Sequence, residues 1–430
     1  MINDFKRNIH MGVFLLGAYK TKQFWRHPDA VPDVGVNLKY NVKLAKNAEK
    51  ANLDFVFVAD IPYTNSSCPP FLLNRFEPLT LLSALSSVTN SIGLVGTISS
   101  SYTEPYNVAR QVLSLDHLSS GRAGCNIVTT VCNDAYKNFS MNDKPTRDER
   151  YDIANEYIDV INKLWLSWDK DSALYNKETC EYIDRMKLNP IDHRGDNFQV
   201  AGPLNIYRSI QNTPVIFHAG FSNESINLAV KHADVIFSWS DSFDNAVKFY
   251  KKTKSLLSSV ERNEHDLLVL LAASVLIVDE NDEVSKFKHE MYQLDDISDS
   301  IVYLSEYFNY DFSIHSFDDP FPECFREKIE TCDPIRSKLL DSIFSNKLTI
   351  RQVANSSAAS FIDFFGTPET VANKMQYWFE NKAADGFIIS EFKPGSLTKF
   401  MELVVPILKH RGIFKENYTG STLREHLDLN

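Results

Sequence analysis

The sequence predicts an α/β fold, a TIM-type (β/α)8 barrel with long insertions. Three observations predict it. Eight short apolar runs recur along the chain, and longer amphipathic stretches alternate with them. Several runs are near-continuously apolar, as parallel strands covered on both faces must be. The Gly-rich first turn of a doubly wound open sheet is missing. Residues 1–430 read as one barrel domain interrupted by two insertions.

The expected strands are Ile9–Leu16, Phe55–Ala59, Ile92–Ile98, Ala123–Val128, Val215–Ala219, Val235–Phe237, Leu267–Val278 and Gly386–Ser390. Between them, Asn41–Ala51 sets Val42, Ala45 and Ala48 roughly on one face, and Glu104–Leu118 does the same with Val108, Val112 and Leu115. Tyr151–Trp168 carries a broad apolar stripe, Ala154, Tyr157, Ile158, Ile161, Leu164 and Trp165, at helical steps. Thr367-Pro368 opens a further helix, Thr as N-cap and Pro as first helical residue. The insertions run from about 170 to 212 and from about 279 to 365. The second is charged, is helical in places and reads as lying outside the strand pattern.

Composition narrows the function. Lys and Arg total 45 against 56 Asp and Glu, a net charge of -11, which excludes broad, non-specific nucleic-acid binding. Only 15 residues are Gly and no G-x-G occurs, so the dinucleotide fingerprint and the Walker A loop are both absent. A phosphate, if bound, must be held another way. The six cysteines form no C-x-x-C and no zinc pattern, which predicts no metal and free thiols in a reducing, cytoplasmic setting. The longest apolar run, Leu267–Val278, is too short for a bilayer, which takes about 20 residues. No membrane association is expected.

In barrels of this kind the chemistry sits at the C-terminal ends of the strands. Those ends carry Asp60, Thr97, Asn126, the segment Gly220–Asn223, and Glu391. Two places say more. Thr146 and Glu149 form a capping-box pattern, which places Arg147 and Tyr151 four residues apart on one face of the opening turns. A guanidinium and a phenol beside free N–H groups suit a phosphate. Arg147 reads equally well as a surface residue paired with a carboxylate. At His218–Ser225, Gly220 permits a tight turn, and the Ser222 hydroxyl with nearby N–H groups could take phosphate oxygens. Ser222 is equally an ordinary N-cap.

No general base stands out, so the catalytic residue is unknown. His10 and His218 read as packed core residues, and His193 and His232 have no identifiable partner. Ser222 lies in no G-x-S-x-G elbow. A glycosidase would have to use Asp60 and Glu391, the only carboxylates at strand ends.

The segment Gly121-Arg122-Ala123-Gly124-Cys125-Asn126-Ile127-Val128-Thr129-Thr130 resembles the bacterial luciferase-like flavin-dependent monooxygenases, in particular the nitrilotriacetate, EDTA and dibenzothiophene-sulfone type. Further matches follow in order along nearly the whole chain. They include Trp25-Arg26-His27-Pro28, Phe57-Val58-Ala59-Asp60, Asp148-Glu149-Arg150-Tyr151, Ala219-Gly220-Phe221-Ser222, Gly366-Thr367-Pro368-Glu369, Ala384-Asp385-Gly386-Phe387 and Thr422-Leu423-Arg424-Glu425-His426-Leu427. The resemblance implies reduced FMN as cofactor, delivered by a separate NAD(P)H:flavin reductase. It also implies O2 and a small organic substrate, oxygenated with C–N, C–S or C–C cleavage or hydroxylation, and a homodimer. Asp60, Thr97, Tyr151 and Ser222 match FMN-contacting positions, and Asn126 lies in a matching strand-end motif. Two of these, Tyr151 and Ser222, are positions that the residue pattern had already marked for phosphate.

Three departures stand out. Cys125 replaces the usual Trp and is expected to reshape the pocket. Arg147 replaces His, and Gly17-Ala18-Tyr19 stands where Gly-His-His is common. A flavin-binding relative without monooxygenase turnover is the alternative that these departures leave, with a flavin-free barrel hydrolase behind it.

Overall fold

The computed structural model describes residues 7–15, 24–66, 68, 70–132, 134–240, 242–294, 296–329, 334–356 and 362–429. Leu16, Gly17-Ala18-Tyr19 and Cys332 lie outside the described residues.

Eight parallel strands close into a barrel: His10–Phe14, Phe55–Val58, Gly93–Ser99, Ala123–Val128, Val215–Ala219, Val235–Ser238, Leu268–Ile277 and Gly386–Glu391. The first pairs with both the second and the eighth, and the sixth with the seventh, so the ring has no open edge. A further strand, Ile362–Gly366, falls inside the segment read as the second insertion and corrects that reading. The seventh strand spans 10 residues and the sixth only 4. Its far half therefore outruns the sixth and would present unpaired backbone. Ile362–Gly366 covers that half in parallel, from Ala273 to Ile277.

Alternation along each strand sorts the side chains. Phe14, Phe55, Phe57, Val95, Phe217, Phe237, Leu270 and Ile388 fill the interior. Their neighbours face the helices Leu38–Lys50, Pro105–Leu118, Arg147–Trp165, Asn223–His232 and Pro368–Glu380. Leu423 and Leu427 of the C-terminal tail close the barrel from its N-terminal end. Gly93 and Gly124 make room there: a Cβ on Gly93 would lie 2.4 Å from Leu423 Cδ1, and one on Gly124 would lie 3.1 Å from Leu423 Cδ2.

That same end carries a repeated device. Asp54, Asp234 and Asp385 each stand immediately before a strand. Each carboxylate accepts the N–H of a residue in the neighbouring strand: Met11 at 2.6 Å, Ile216 at 2.8 Å and Val269 at 2.9 Å. Cations meet them, Lys415 on Asp54, Arg424 on Asp234, and Arg7 with Lys254 on Asp385. The nearly inaccessible Arg122 guanidinium donates to the carbonyls of Ser119, Ile92 and Thr89.

The first insertion forms two small antiparallel hairpins, Ala173–Asn176 with Glu181–Ile183 and His193–Arg194 with Gln199–Val200. The second contains the helices Glu283–Gln293, Ile297–Phe308, Pro334–Ser345 and Ile350–Ser356, and builds a core of its own around Phe308, Phe312, Phe321 and Phe325.

Candidate active site

Inside the barrel, an aromatic plug forms the floor of the C-terminal mouth. Phe14 packs edge-on to Phe57 at 5.4 Å between centroids, Phe57 to Phe237 at 5.2 Å, and Phe55 to Phe217 at 5.0 Å. Above it, Thr97 and Asn126 are cross-strand neighbours on the third and fourth strands. Both are buried. Asn126 Nδ2 donates to Thr97 Oγ1 at 3.0 Å, and Asn126 Oδ1 has no partner among the described residues. A buried acceptor without a donor is costly, so this atom is available to a ligand that brings one.

Asp60 follows the second strand and faces Arg75, whose Nε lies 3.5 Å away. Burial raises its pKa against the pull of Arg75. Asp60 and Thr97 line one cavity of about 170 Å³ together with Tyr102, Phe139 and Val128. Tyr102 stacks on Phe139 at 4.7 Å, and its buried hydroxyl has no partner among the described residues.

The second group of expected residues meets at two helix N-termini. The Thr146–Glu149 capping box is formed, with Thr146 N donating to Glu149 Oε2 at 2.7 Å. Ser222 caps the helix Asn223–His232 by accepting the Ser225 N–H. Tyr151 then bridges the two ends, its hydroxyl 2.7 Å from Ser225 Oγ and 3.5 Å from Ser222 Oγ. Gly220 makes this closure possible: a Cβ there would sit 2.2 Å from Ser225 Oγ. Arg147 is brought to the same corner, where its guanidinium pairs with Glu224 at 2.7 Å. This corner and Asn126 stand on adjacent strands, with Asn126 opposite Phe217 and Ile127 opposite His218.

Several expectations need correction. Cys125 does not line the mouth. Asn126 faces the interior, so its neighbour faces the helices, and Cys125 packs there with Tyr157 and Ile161. Burial pushes its thiol far up, away from thiolate chemistry. Glu391 also turns outward. It takes the Tyr40 hydroxyl at 3.2 Å and the Gly395 N–H at 3.1 Å, so it makes no carboxylate pair with Asp60 across the mouth. His193 and His232 do have partners, Glu156 at 2.9 Å and Asn155 at 3.1 Å. His218 is a core residue, as its sequence context predicts: burial holds its pKa down to about 4, and Nδ1 faces the Ile127 carbonyl at 2.8 Å. Sequence reading missed Tyr102, Ser225, Glu224 and Arg75. Their signal lies in loops and helix starts whose meeting only the fold determines.

Among the described residues, no His, Cys, Asp and Glu cluster could hold a metal, and no helix is long and apolar enough to cross a membrane. A closed parallel barrel with polar groups and a cavity at the C-terminal mouth defines a TIM-barrel enzyme. This chain belongs to the luciferase-like monooxygenase family, matched over residues 19–385. It is 40% identical over 432 residues to N-acetyl-S-(2-succino)cysteine monooxygenase of Bacillus subtilis (strain 168), covering 99% of this chain and 97% of that one. It is 35% identical to nitrilotriacetate monooxygenase component A of Aminobacter aminovorans, covering 94% and 93%. Its fold is similar to that of a riboflavin lyase solved with modified FMN and riboflavin, with TM-score 0.84, 28% identity and coverage of 98% and 96%. The protein is thus an oxidoreductase, a two-component monooxygenase that uses reduced flavin and acts on a small organic substrate. The residues present fit a flavin: an unpartnered buried acceptor beside the plug, and a hydroxyl-rich, glycine-tightened corner at two helix N-termini.

Proposed function

We propose that the flavin is FMN, held with Asp60, Thr97 and Asn126 along its ring system and with Arg147, Tyr151 and Ser222 at its phosphate. The observation that carries this reading is the meeting of the Tyr151 and Ser222 hydroxyls where two helices begin. Helix N-termini favour an anion, and the hydroxyls add directed donors. Reduced FMN, when bound, supplies the two electrons that, with two protons, take one atom of O2 to water while the other enters the substrate. The chain's own part is positional. Thr97 holds the Asn126 amide, whose Oδ1 can accept one ring N–H. The aromatic plug closes the floor against water. Phe24, Met291 and Phe392 pack over the ends of the seventh and eighth strands and dry that side of the mouth.

The reading includes a separate NAD(P)H:flavin reductase, a homodimer and a cytoplasmic setting. The N-acetyl-S-(2-succino)cysteine and nitrilotriacetate relatives make thioethers and amines bearing carboxylates the first substrates to try. Two measurements test it. Substituting Tyr151→Phe and Ser222→Ala together should weaken FMN binding roughly tenfold, and an unchanged titration would overturn the phosphate assignment. Oxygen uptake with reduced FMN should give oxygenated product from such a thioether or amine. Hydrogen peroxide alone from every class would point instead to a flavin-binding relative without turnover.

A further inference from the structure

The proposed phosphate corner contains an anion of its own. Glu224 is the second residue of the helix Asn223–His232. Its Oε2 lies 2.7 Å from Arg147 Nη2. Its own backbone N–H holds the carboxylate below its ordinary range against the effect of burial, and the Ser222 hydroxyl, Arg147 and Lys252 act in the same direction. Lys252 is kept nearby by a bond to Asn223 Oδ1. Arg147 is also one of the groups assigned above to the flavin phosphate. One guanidinium cannot serve a carboxylate and a phosphate dianion fully at once, and two anions at one helix start repel each other.

Resting on that FMN reading, we propose that Glu224 is a built-in competitor of the flavin phosphate, sharing Arg147 with it and setting how tightly a phosphorylated flavin is held. Such a residue has a use in this class of enzyme. A two-component oxygenase takes up reduced flavin and gives back oxidised flavin on every turnover, so an over-tight phosphate site would slow the exchange. Arg147 and Glu224 are 44% and 42% exposed, so their pair is weak enough to open. The competition acts on the phosphate alone. It therefore separates FMN from riboflavin, which has the same ring system and no phosphate.

Glu224→Gln keeps the shape and an acceptor oxygen and removes the charge. Oxidised FMN and riboflavin would be titrated by flavin fluorescence against the parent protein, E224Q, R147A and the E224Q/R147A double variant, with thermal melting to verify that each is folded. E224Q is expected to bind FMN about two- to fivefold more tightly and riboflavin as before. R147A should lose more FMN affinity in the E224Q background than in the parent, because Arg147 no longer has a second anion to serve. FMN affinity unchanged or weakened in E224Q, or an equal gain for riboflavin, overturns the inference. The Tyr151→Phe/Ser222→Ala protein separates the two levels. If it still binds FMN like the parent, the phosphate-corner reading falls and takes this inference with it. If it loses FMN while E224Q has no effect, the inference alone falls.

Discussion

The two ends of the barrel treat most of their polar groups in opposite ways, although one buried nitrogen at the lower end, His426 Nδ1, also lacks a partner among the described residues. At the N-terminal end, Asp54, Asp234 and Asp385 each accept a strand N–H and meet a cation, and Arg122 spreads its donors over main-chain carbonyls. At the C-terminal end, Asn126 Oδ1, Tyr102 OH and Ser274 Oγ are buried without partners among the described residues. A protein tolerates such atoms where a ligand can use them. The contrast teaches where to look for stability and where for binding. The bottom holds the strands in register, and the top holds capacity in reserve for a ligand.

The largest effect is expected at the bottom. Asp385→Asn would leave Lys254 buried and Arg7 and the Tyr250 hydroxyl short of a carboxylate. Breaking a buried pair from one side costs roughly 3–5 kcal/mol. Urea unfolding should show that loss, while FMN affinity under folding conditions stays unchanged. A loss below about 1 kcal/mol, or a fall in affinity of the same proportion, would break the division between the two ends. Asp54 adds a pH signature. Burial raises its pKa, but Lys415 and His10 outweigh this and hold it at about 2 against an ordinary 3.8. Its stabilisation is therefore complete above the ordinary value and is lost as pH falls through about 2.

The same division explains what the sequence made legible. The barrel strands could be read because each is a compact apolar run, and the caps at Thr146, Ser222 and Thr367 because N-cap chemistry is local. Ile362–Gly366 was hidden because Asp363 interrupts a short run, and that residue answers Lys288 rather than the core. The role of the three aspartates was invisible because a lone Asp before a strand says nothing of its partner until the neighbouring strand's N–H arrives beside it. Cys125 was readable and misassigned: a period of two forces it away from the face of Asn126. Arg147 and Glu224 lie 77 residues apart, so their pairing could not be seen before the two helix starts were brought together.

Glu391 tests the boundary between the two ends, since it is a top-end carboxylate buried with no cation beside it among the described residues. Burial is the main cause of a pKa near 7; the Leu397 and Gly395 N–H groups and the Tyr40 hydroxyl moderate it. A raised carboxyl favours the protonated fold, so its contribution is fully present below the ordinary value of 4.5 and is lost as pH rises through about 7. Glu391→Gln can keep an acceptor toward Gly395 while its amide donates to Tyr40. The variant should be more stable than the parent at pH 8, by on the order of 2 kcal/mol, and should show a flatter pH profile between 5 and 8. Equal slopes in parent and variant would show that this carboxyl is paired as well as those at the bottom.

The smallest effect on stability, and the sharpest test of the contrast, belongs to Asn126. Among the described residues its Oδ1 makes no bond, and the amide's single link is to Thr97. Asn126→Ala therefore removes one hydrogen bond and one buried unsatisfied acceptor together, and these act in opposite directions. Stability should move by less than about 1 kcal/mol, whereas FMN affinity should fall roughly two- to tenfold as a ligand bond is lost. Thr97→Ala should lower FMN affinity less but cost more stability, because it leaves the buried Asn126 Nδ2 without an acceptor. If Asn126→Ala instead unfolds the barrel several kcal/mol sooner and leaves FMN affinity intact, the unpartnered oxygen belongs to the scaffold. The upper end of the barrel would then be held together in the same way as the lower one.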